Sequence, residues 1–398
     1  MPVSPASPST ARAINDRLAL RLLQEEGALT AAQLKKLTGL SRPTVADLVE
    51  RLTGAGLVHV VGEAGAERRG PNARLYGIVA DRAHLAALDV RTEGVSVVVA
   101  DLLGTVLADA ALPIDAGTGT GPAVERAVAL LERTAEEAGA GKLHSVGIGA
   151  PGLIDPDTGE LRDSTGLPEW HRRLVAALHE RLPARVLVEN ETNLAAVAEQ
   201  RLGAARGLDT FVLLWLGHGV GGAVVLDGRV RRGASGGAGE LGFLPVPGTG
   251  GLPSATGCDG GFHSLAGSAA VLALAGEHGL GGAVGAAGAT GATGAGDVVR
   301  AALDGGDGGA GFLDALADRV AIGAAATVSV LDPGCVVLSG EVGLAGGAEL
   351  ASRVERRLAA MTPLRTGVRA SELGDAAVLR GALLTARDAA QDALFAPA

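Results

Sequence analysis

Arginine, threonine and aspartate side chains stand close together in residues 30–53, at spacings that could read the edges of DNA bases. Four of them would face outward from a helix over this segment: Arg42, Thr44, Asp47 and Arg51. Arginine donates two parallel hydrogen bonds to guanine, and threonine and aspartate can contact other bases in the major groove. The residue types therefore indicate base contacts, with Arg42 as the best candidate for guanine.

Two short helices around a Gly39-Leu40-Ser41 turn would position these side chains. Ser41 is a favourable N-cap for the second helix. Pro43, which belongs to the same DNA-facing set, lies in the first turn, where its missing N–H costs nothing. Apolar residues at helical spacing predict a buried face: Val45, Leu48, Val49 and Leu52. The pattern is that of a helix-turn-helix, whose second helix enters the major groove.

The flanks of this segment strengthen the prediction of a winged helix. An amphipathic helix is expected from Ala13 to Glu26, and strands at 57–61 and 73–78 would form a β-wing. Six side chains are expected to hold phosphates or to probe the minor groove: Lys35, Lys36, Ser41, Arg68, Arg69 and Arg74. The alternative is a small helical bundle with an ordinary charged surface.

Charge is unevenly distributed along the 398 residues. The formal net charge of −10 by itself argues against a nucleic-acid binder. Residues 1–82, however, carry a net charge of +3, and the remainder carries −13. A mildly basic head on an acidic body suits a DNA reader whose body stays away from the phosphates.

Composition and length set the class of protein. Hydrophobic residues make up 47% of the chain, yet no apolar run approaches the length of a membrane span. Residues 1–12 contain no signal-peptide core and are expected to form a disordered tail. Cys258 and Cys335 stand far apart and indicate neither a disulfide framework nor a metal cluster. We therefore expect a cytoplasmic protein with a DNA-binding domain over 13–80 and a larger domain over 83–398.

Apolar strands alternate with helices from residue 83 onward. Strands are expected at 84–90, 95–101, 105–112, 145–150, 185–189, 210–216 and 335–338. Helices are expected at 122–138, 169–182 and 191–202, and a glycine loop at Gly217–Gly222. Helices dominate after residue 265. The order predicts an α/β fold with two sheet-centred lobes and a cleft between them.

Four motifs of this body match a known family: Ile148–Gly152, Val188–Ala196, Leu216–Gly242 and Leu331–Glu341. The chain resembles the ROK family (repressor, open reading frame, kinase), in particular its transcriptional regulators with an N-terminal winged helix-turn-helix. The resemblance covers nearly all of residues 13–398. It implies an actin-like ATPase (ribonuclease-H-like) body, a homodimer or homotetramer, and a palindromic operator in double-stranded DNA.

The resemblance also implies where sugar-kinase chemistry fails. The family's kinases carry Asp-x-Gly-Gly-Thr at the first strand turn, since glycines let the backbone approach the phosphates. Here the turn is Asp89-Val90-Arg91-Thr92-Glu93, so that two glycines have gained side chains and Glu93 adds a negative charge. Gly217–Gly222 keeps its glycines, either for a tight strand turn or for a nucleotide. We expect ATP binding to be lost.

Glu191 stands where the family has its catalytic aspartate. The extra methylene of glutamate displaces the carboxylate, and such a displacement is costly in rate. Glu191 is therefore expected either to stabilise its helix through the dipole or to contact a ligand. We assign no catalytic residue and expect no enzyme activity.

The family's zinc site is another predicted loss. The family binds zinc through one histidine and three cysteines, and the matching positions here are Phe243, Ser254, Thr256 and Gly261. Cys258 falls at a non-ligand position. We expect no structural zinc and no cofactor. Loop 243–264 would then be held by Phe243 packing or by turn chemistry, or be mobile.

Part of the family's sugar site persists. Asn190 and Glu240 match positions that contact sugar hydroxyls, whereas Gly166 and His263 replace two other sugar-binding residues. The expected ligand-binding set is Asn190, Glu191, Glu240 and His263. The effector could be a sugar, an altered or phosphorylated sugar bound as an anion by His263 and Arg91, or nothing at all.

These observations predict a DNA-binding transcriptional regulator of carbohydrate metabolism, a repressor above all, whose kinase-like body dimerises and senses a ligand. Two alternatives stay open. One is an active ATP-dependent sugar kinase with a DNA-binding appendage. The other is a repressor that needs no effector.

Overall fold

The computed structural model describes residues 8–64, 73–115, 117–162, 168–255, 260–280, 294–305 and 308–395. Within these ranges the N-terminal part, here called the head, combines three helices with an antiparallel sheet of order β1-β3-β2. Its elements are α1 (Pro8–Glu26), β1 (Leu29–Thr30), α2 (Ala31–Thr38), α3 (Arg42–Gly54), β2 (Val58–Ala64) and β3 (Ala73–Ile78).

Capping residues fix the turn between α2 and α3. Thr30 caps α2 by accepting from the Gln33 N–H, and the Gln33 side chain accepts from the Thr30 N–H in return. Gly39 caps the C-terminal end of α2, and its φ of 71° lies in the left-handed region that glycine adopts without strain. Ser41 caps α3 by accepting from the Thr44 N–H. The predicted helix-turn-helix is confirmed. Strand β3 lies where the sequence places it, whereas β2 runs on to Ala64, beyond the predicted strand at 57–61.

The first helix begins earlier than the sequence analysis predicts. Residues 8–12 were expected in the disordered tail, yet α1 begins at Pro8. Proline is favourable in a first turn because the N–H that it lacks would have no partner there, and Ala11 is a strong helix former. The predicted end of the tail at residue 12 is therefore wrong, and residues 1–7 lie outside the described residues.

The larger part, here called the body, has two five-stranded mixed sheets. The first has the order β6-β5-β4-β7-β8, and the second has the order β11-β10-β9-β12-β13. The first lobe contains β4 (His84–Arg91), β5 (Gly94–Asp101), β6 (Val106–Pro113), α4 (Thr120–Glu137), β7 (Leu143–Ala150), α5 (Glu169–Arg181) and β8 (Arg185–Asn190). The chain continues through α6 (Glu191–Leu202), β9 (Phe211–Leu216), β10 (Val220–Leu226), β11 (Arg229–Val230), α7 (His263–Ala266), α8 (Ser268–Glu277), α9 (Ala295–Leu303), α10 (Gly309–Leu331), β12 (Cys335–Ser339), α11 (Gly340–Met361), β13 (Gly367–Ala370) and α12 (Ala377–Leu394).

Helices α6 and α12 lie together between the two sheets. A Cβ at Gly381 of α12 would come within 2.0 Å of the Leu194 carbonyl oxygen of α6, so only glycine allows this approach. A Cβ at Gly147 of β7 would meet the Ala382 carbonyl at 2.2 Å in the same way. The predicted two-lobed α/β architecture is confirmed. The short strands β1 and β13 were not predicted, and Gly221 and Gly222 lie in β10, so the glycine loop is only Gly217–Gly219.

The head and the body share one continuous hydrophobic core. Leu20 and Leu23 of α1 belong to the same buried cluster as Leu102 and as Phe395, which follows α12. Polar contacts join the same elements, since Gln391 donates to the Gln24 side chain at 2.8 Å and to the Leu102 carbonyl at 3.0 Å. α12 therefore runs from the cleft between the lobes to the head.

Candidate DNA-binding head and interlobe cleft

The N-terminal end of α3 presents the predicted base-reading residues. Ser41, Arg42, Pro43 and Asp47 are exposed, and Thr44 is half-buried with its hydroxyl 2.8 Å from the Ser41 hydroxyl. Exposure at the first turn of α3, rather than in its middle, is the placement that a recognition helix requires.

The predicted phosphate-contacting residues lie around this helix end. Lys35 and Lys36 are exposed in the last turn of α2, and Arg74 is exposed on β3 in the wing. Arg68 and Arg69 lie outside the described residues. The described members are thus exposed on α2 and on the wing strand β3.

Arg51 differs from the sequence-based expectation. Its guanidinium donates to both carboxylate oxygens of Asp16, at 2.6 and 3.2 Å, and it also pairs with Asp47. The hydrogen bond to Asp16 is the main factor that raises the pKa of Arg51. Arg51 therefore does not point freely outward as predicted but joins α3 to α1.

A cleft of about 740 Å³ opens between the two lobes. Residues from both lobes line it, including all four predicted ligand-binding residues. These four are Asn190, Glu191, Glu240 and His263.

The first strand turn holds an ion pair at the edge of this cleft. Asp89 is 3% exposed and accepts from the Arg91 guanidinium at 2.8 and 2.9 Å. Arg91 also donates to the Asp375 carbonyl oxygen at 3.1 Å, so its charge is engaged within the protein. Burial is the main factor that raises the pKa of Asp89, although Arg91 opposes this effect.

Glu191 is the first residue of α6 and lies beside this ion pair. Burial, assisted by the negative charge of Asp89 and opposed by Arg91, raises the pKa of Glu191 to about 7. The carboxyl group of Glu191 therefore holds its proton to a much higher pH than an exposed glutamate does. The Arg91 guanidinium is hydrogen-bonded to Asp89 and to the Asp375 carbonyl, and it acts on Glu191 only through its charge.

Asn190 caps the same helix. Its Oδ1 accepts from the Thr192 N–H at 2.8 Å, and its Nδ2 donates to the Gly152 carbonyl at 3.0 Å. The amide that the sequence assigns to a ligand thus already has protein partners on both of its atoms. It has one N–H left for a sugar.

Asn193, one turn further along α6, also lines the cleft and was not singled out from the sequence. Its Nδ2 donates to Glu189 Oε1 at 2.9 Å, and the other oxygen of Glu189 accepts from Arg232 at 2.5 Å. Glu189 lies in β8 next to its last residue and Arg232 follows β11, so this contact bridges the edge strands of the two sheets. A second asparagine three residues after the cap was the available signal.

His263 and Glu240 form another part of the cleft wall. The Val220 N–H donates to His263 Nδ1 at 2.9 Å, so that Nε2 carries the proton of the neutral ring. Burial, assisted by His218, lowers the pKa of His263 and favours this neutral form. Burial within the cleft raises the pKa of Glu240, although its side chain is exposed.

A carboxylate also occupies the N-terminal end of α11. Glu341 lies in the first turn of this 22-residue helix, lines the cleft and hydrogen bonds to the Ser268 hydroxyl at the start of α8. A helix N-terminus attracts anions such as phosphate through its free N–H groups and dipole. Glu341 places one of the chain's own negative charges there.

Aromatic packing supports the loop that the resemblance associates with zinc. The Phe243 and His263 rings pack edge to face with centroids 5.0 Å apart. The Thr249 hydroxyl lies 3.1 Å from both the Val246 and Gly251 carbonyls, which is turn chemistry of the predicted kind. Over the described ranges, no three His, Cys, Asp or Glu side chains come together as metal ligands. Thr256, Cys258 and Gly166 lie outside those ranges.

Comparison with known proteins identifies the family. The ROK family model matches residues 85–389, and the MarR family model matches residues 14–69 of the head. The chain belongs to the ROK family. Its head is a winged helix of the MarR type, and its body has the actin-like kinase fold that the sequence predicted.

Individual relatives include both kinases and repressors. The chain is 35% identical to a glucokinase of Halalkalibacterium halodurans over 135 residues, which are 34% of this chain and 41% of that protein. It is 25% identical to the xylose repressor of Bacillus subtilis over 239 residues, 58% of this chain and 60% of that protein. The matches thus span less than two thirds of these two relatives.

A solved ROK family transcriptional regulator, described as a homolog of the Escherichia coli MLC protein, matches the whole architecture. Its TM-score is 0.76 at 21% identity, with 97% of this chain and 98% of that chain covered. At this identity the match establishes the fold. Among the described helices, none combines the length and the apolar character that a membrane crossing needs.

Proposed function

We propose that this chain is a DNA-binding transcriptional repressor whose ROK body has lost kinase activity, assembles as a dimer or tetramer, and senses a sugar. The observation that carries the proposal is the exposed Arg42 at the capped start of α3, flanked by Lys35 and Lys36. Arginine in the first turn of a recognition helix suits guanine, and the lysines suit the neighbouring phosphates.

The cleft supports the loss of nucleotide chemistry at two places. Glu93 lies in the first strand turn, and Glu341 lies at the start of α11 with its carboxylate held by Ser268. Each carboxylate would repel the phosphates of ATP by a few kcal/mol at an intermediate dielectric constant. Arg91 compensates little of this repulsion because it is paired with Asp89.

The test of DNA binding is a fluorescence anisotropy titration with the region upstream of the chain's own gene. The control is a shuffled fragment of the same length and composition at the same salt concentration, because non-specific affinity depends on salt. We expect the upstream fragment to bind on the order of 10³-fold tighter or better. Equal affinity for both fragments would contradict a sequence-specific repressor.

One observation favours the rival function of an active sugar kinase. The pKa of Glu191, about 7, is near the value that suits a general base at neutral pH. A coupled assay of ADP release across hexoses and amino sugars distinguishes the two functions. We expect no release above the protein-free blank, and sustained sugar-dependent turnover would establish the kinase instead.

A further inference from the structure

The lining of the cleft is rich in negative charge. Five carboxylates reach it from both lobes: Glu93, Glu191, Glu240, Glu341 and Asp375. Arg91 is the one arginine in this lining, which contains no lysine, and it donates to Asp89 and to the Asp375 carbonyl. The described cleft therefore disfavours an anion.

Buried acceptor atoms without partners lie in or beside the cleft. Asn193 is 3% exposed, and its Nδ2 must face the Glu189 carboxylate, which can only accept, so the orientation of the amide is fixed. Its Oδ1 accepts no hydrogen bond within the described part of the chain, and neither does Asp89 Oδ1 beneath Arg91. Such buried acceptors cost free energy until a donor reaches them.

His263 contributes a hydrogen-bond donor to the same region. Its Nδ1 is occupied by the Val220 N–H, and its Nε2–H is buried without an acceptor among the described residues. The ring packs closely against Gly242, where a Cβ would lie 2.2 Å from Nε2, so this contact requires a glycine. The site thus offers many acceptors and one fixed donor.

We infer that the cleft binds a polyol that carries a protonated amine, an amino sugar, in preference to the uncharged or phosphorylated form of the same sugar. The ammonium group would lie at Glu191, near Asp89, and a hydroxyl would accept from His263. This inference rests on the sugar sensing that we propose above. It replaces the anionic effector considered from the sequence.

An ammonium ion accounts for the features better than a metal ion does. The described residues provide no cluster of three side chains that could hold a metal. A protonated amine needs only carboxylate acceptors, and the one arginine in the cleft lining, Arg91, pairs with Asp89 rather than with Glu191. Burial and the charge of Asp89 raise the pKa of Glu191, and a cation at this position would offset both effects.

The experiment is isothermal titration calorimetry on the full chain, with the fluorescence of Trp215, which lines the cleft, as a second signal. The probes are D-glucosamine, D-glucose, N-acetyl-D-glucosamine and D-glucosamine 6-phosphate, followed by the corresponding galactose series. We expect the amine of at least one series to bind about tenfold tighter than its uncharged counterparts. The phosphorylated amine should bind more weakly than the free amine. Equal or tighter binding of an uncharged or phosphorylated sugar, or no binding of either amine, overturns the inference.

Two matched variants locate the charge. Glu191→Gln keeps the shape of the side chain and should bring the ratio of amine to uncharged affinity close to one, while the uncharged sugar still binds. Glu372→Gln makes the same change on an exposed side chain outside the cleft lining and should keep the wild-type ratio. An unchanged ratio in Glu191→Gln refutes the position of the ammonium group.

Operator binding by the same preparations separates this inference from the proposed function. A chain that binds its operator but no amino sugar refutes the inference and leaves the repressor intact. A chain that binds an amino sugar but no operator refutes the proposed repressor and leaves the inference about the cleft intact.

Discussion

Arg51 Nη2 lies 2.6 Å from Asp16 Oδ1, so the recognition helix is tied to the first helix of the head by an ion pair. Both side chains are partly buried, at 31% and 22% exposure. The pair links α3 to α1, and it uses a charge that the sequence alone would assign to DNA.

Replacing Arg51 should therefore destabilise the head. We expect Arg51→Ala to lower the free energy of unfolding by about 1 kcal/mol, because a partly buried pair exceeds the small value of an exposed one. Urea unfolding of the full chain measures the change. Arg42→Ala, on the same helix but exposed, is the control and should change stability by less than about 0.5 kcal/mol. If Asp16→Asn and Arg51→Ala were fully additive in the double variant, the pair would contribute nothing.

Arg42 should affect DNA recognition without affecting the fold. We expect Arg42→Ala to weaken operator binding by about 1–3 kcal/mol, since each bidentate guanine contact contributes that much discrimination. Binding to the shuffled fragment should change little. Anisotropy titrations with both fragments provide the measurement, and an unaltered operator affinity would remove Arg42 from the base-reading set.

Lys36, unlike Arg42, is expected to contact a phosphate and therefore to contribute to DNA binding regardless of sequence. Lys36→Ala should weaken binding to the operator and to the shuffled fragment by similar factors. It should also reduce the slope of log K against log salt by about 1, because one fewer counterion is released. A selective loss on the operator alone would show that Lys36 reads bases.

Glu191 should make the stability of the chain depend on pH. Its pKa is about 7 in the folded protein and near 4.5 when unfolded, so the folded state holds more protons between these values. The stability contributed by the protonated carboxyl is present below pH 4.5 and is lost as pH rises through 7. Glu191→Gln should flatten this dependence by up to about 3 kcal/mol. Thermal unfolding scans from pH 5 to pH 8 test it, and parallel curves for the two proteins would contradict the burial of this charge.

Metal removal should leave the protein unchanged. Phe243 packs on His263 where the resemblance implies a zinc ligand, so the loop does not need a metal to hold this contact. We expect dialysis against EDTA to leave the melting temperature the same, whereas a structural zinc would contribute folding free energy. Stoichiometric zinc in the purified chain, or a lower melting temperature after EDTA, would refute this expectation.

Local sequence signals predicted much of the architecture. Ser41 and Gly39 predicted the start of α3 and the turn before it, and periodic apolar residues predicted the helix faces. Interactions between distant residues could not be predicted, because nothing near Arg51 in sequence indicates Asp16, 35 positions earlier. The hydrogen bond from Asn190 to the Gly152 carbonyl, 38 positions earlier, and the pairing of β1 with β3 depend on the folded backbone in the same way.

The core shared by α1 and the end of α12 means that the head is not a separable module. A fragment cut after residue 80 would lack Leu102 and Phe395. Leu20 and Leu23 would then be exposed to solvent, and this apolar surface would favour aggregation. Swapping the head between relatives would succeed only if the matching carboxyl-terminal residues travelled with it. The C-terminal end of α12 thus supports the DNA-binding head by packing in the same core as α1.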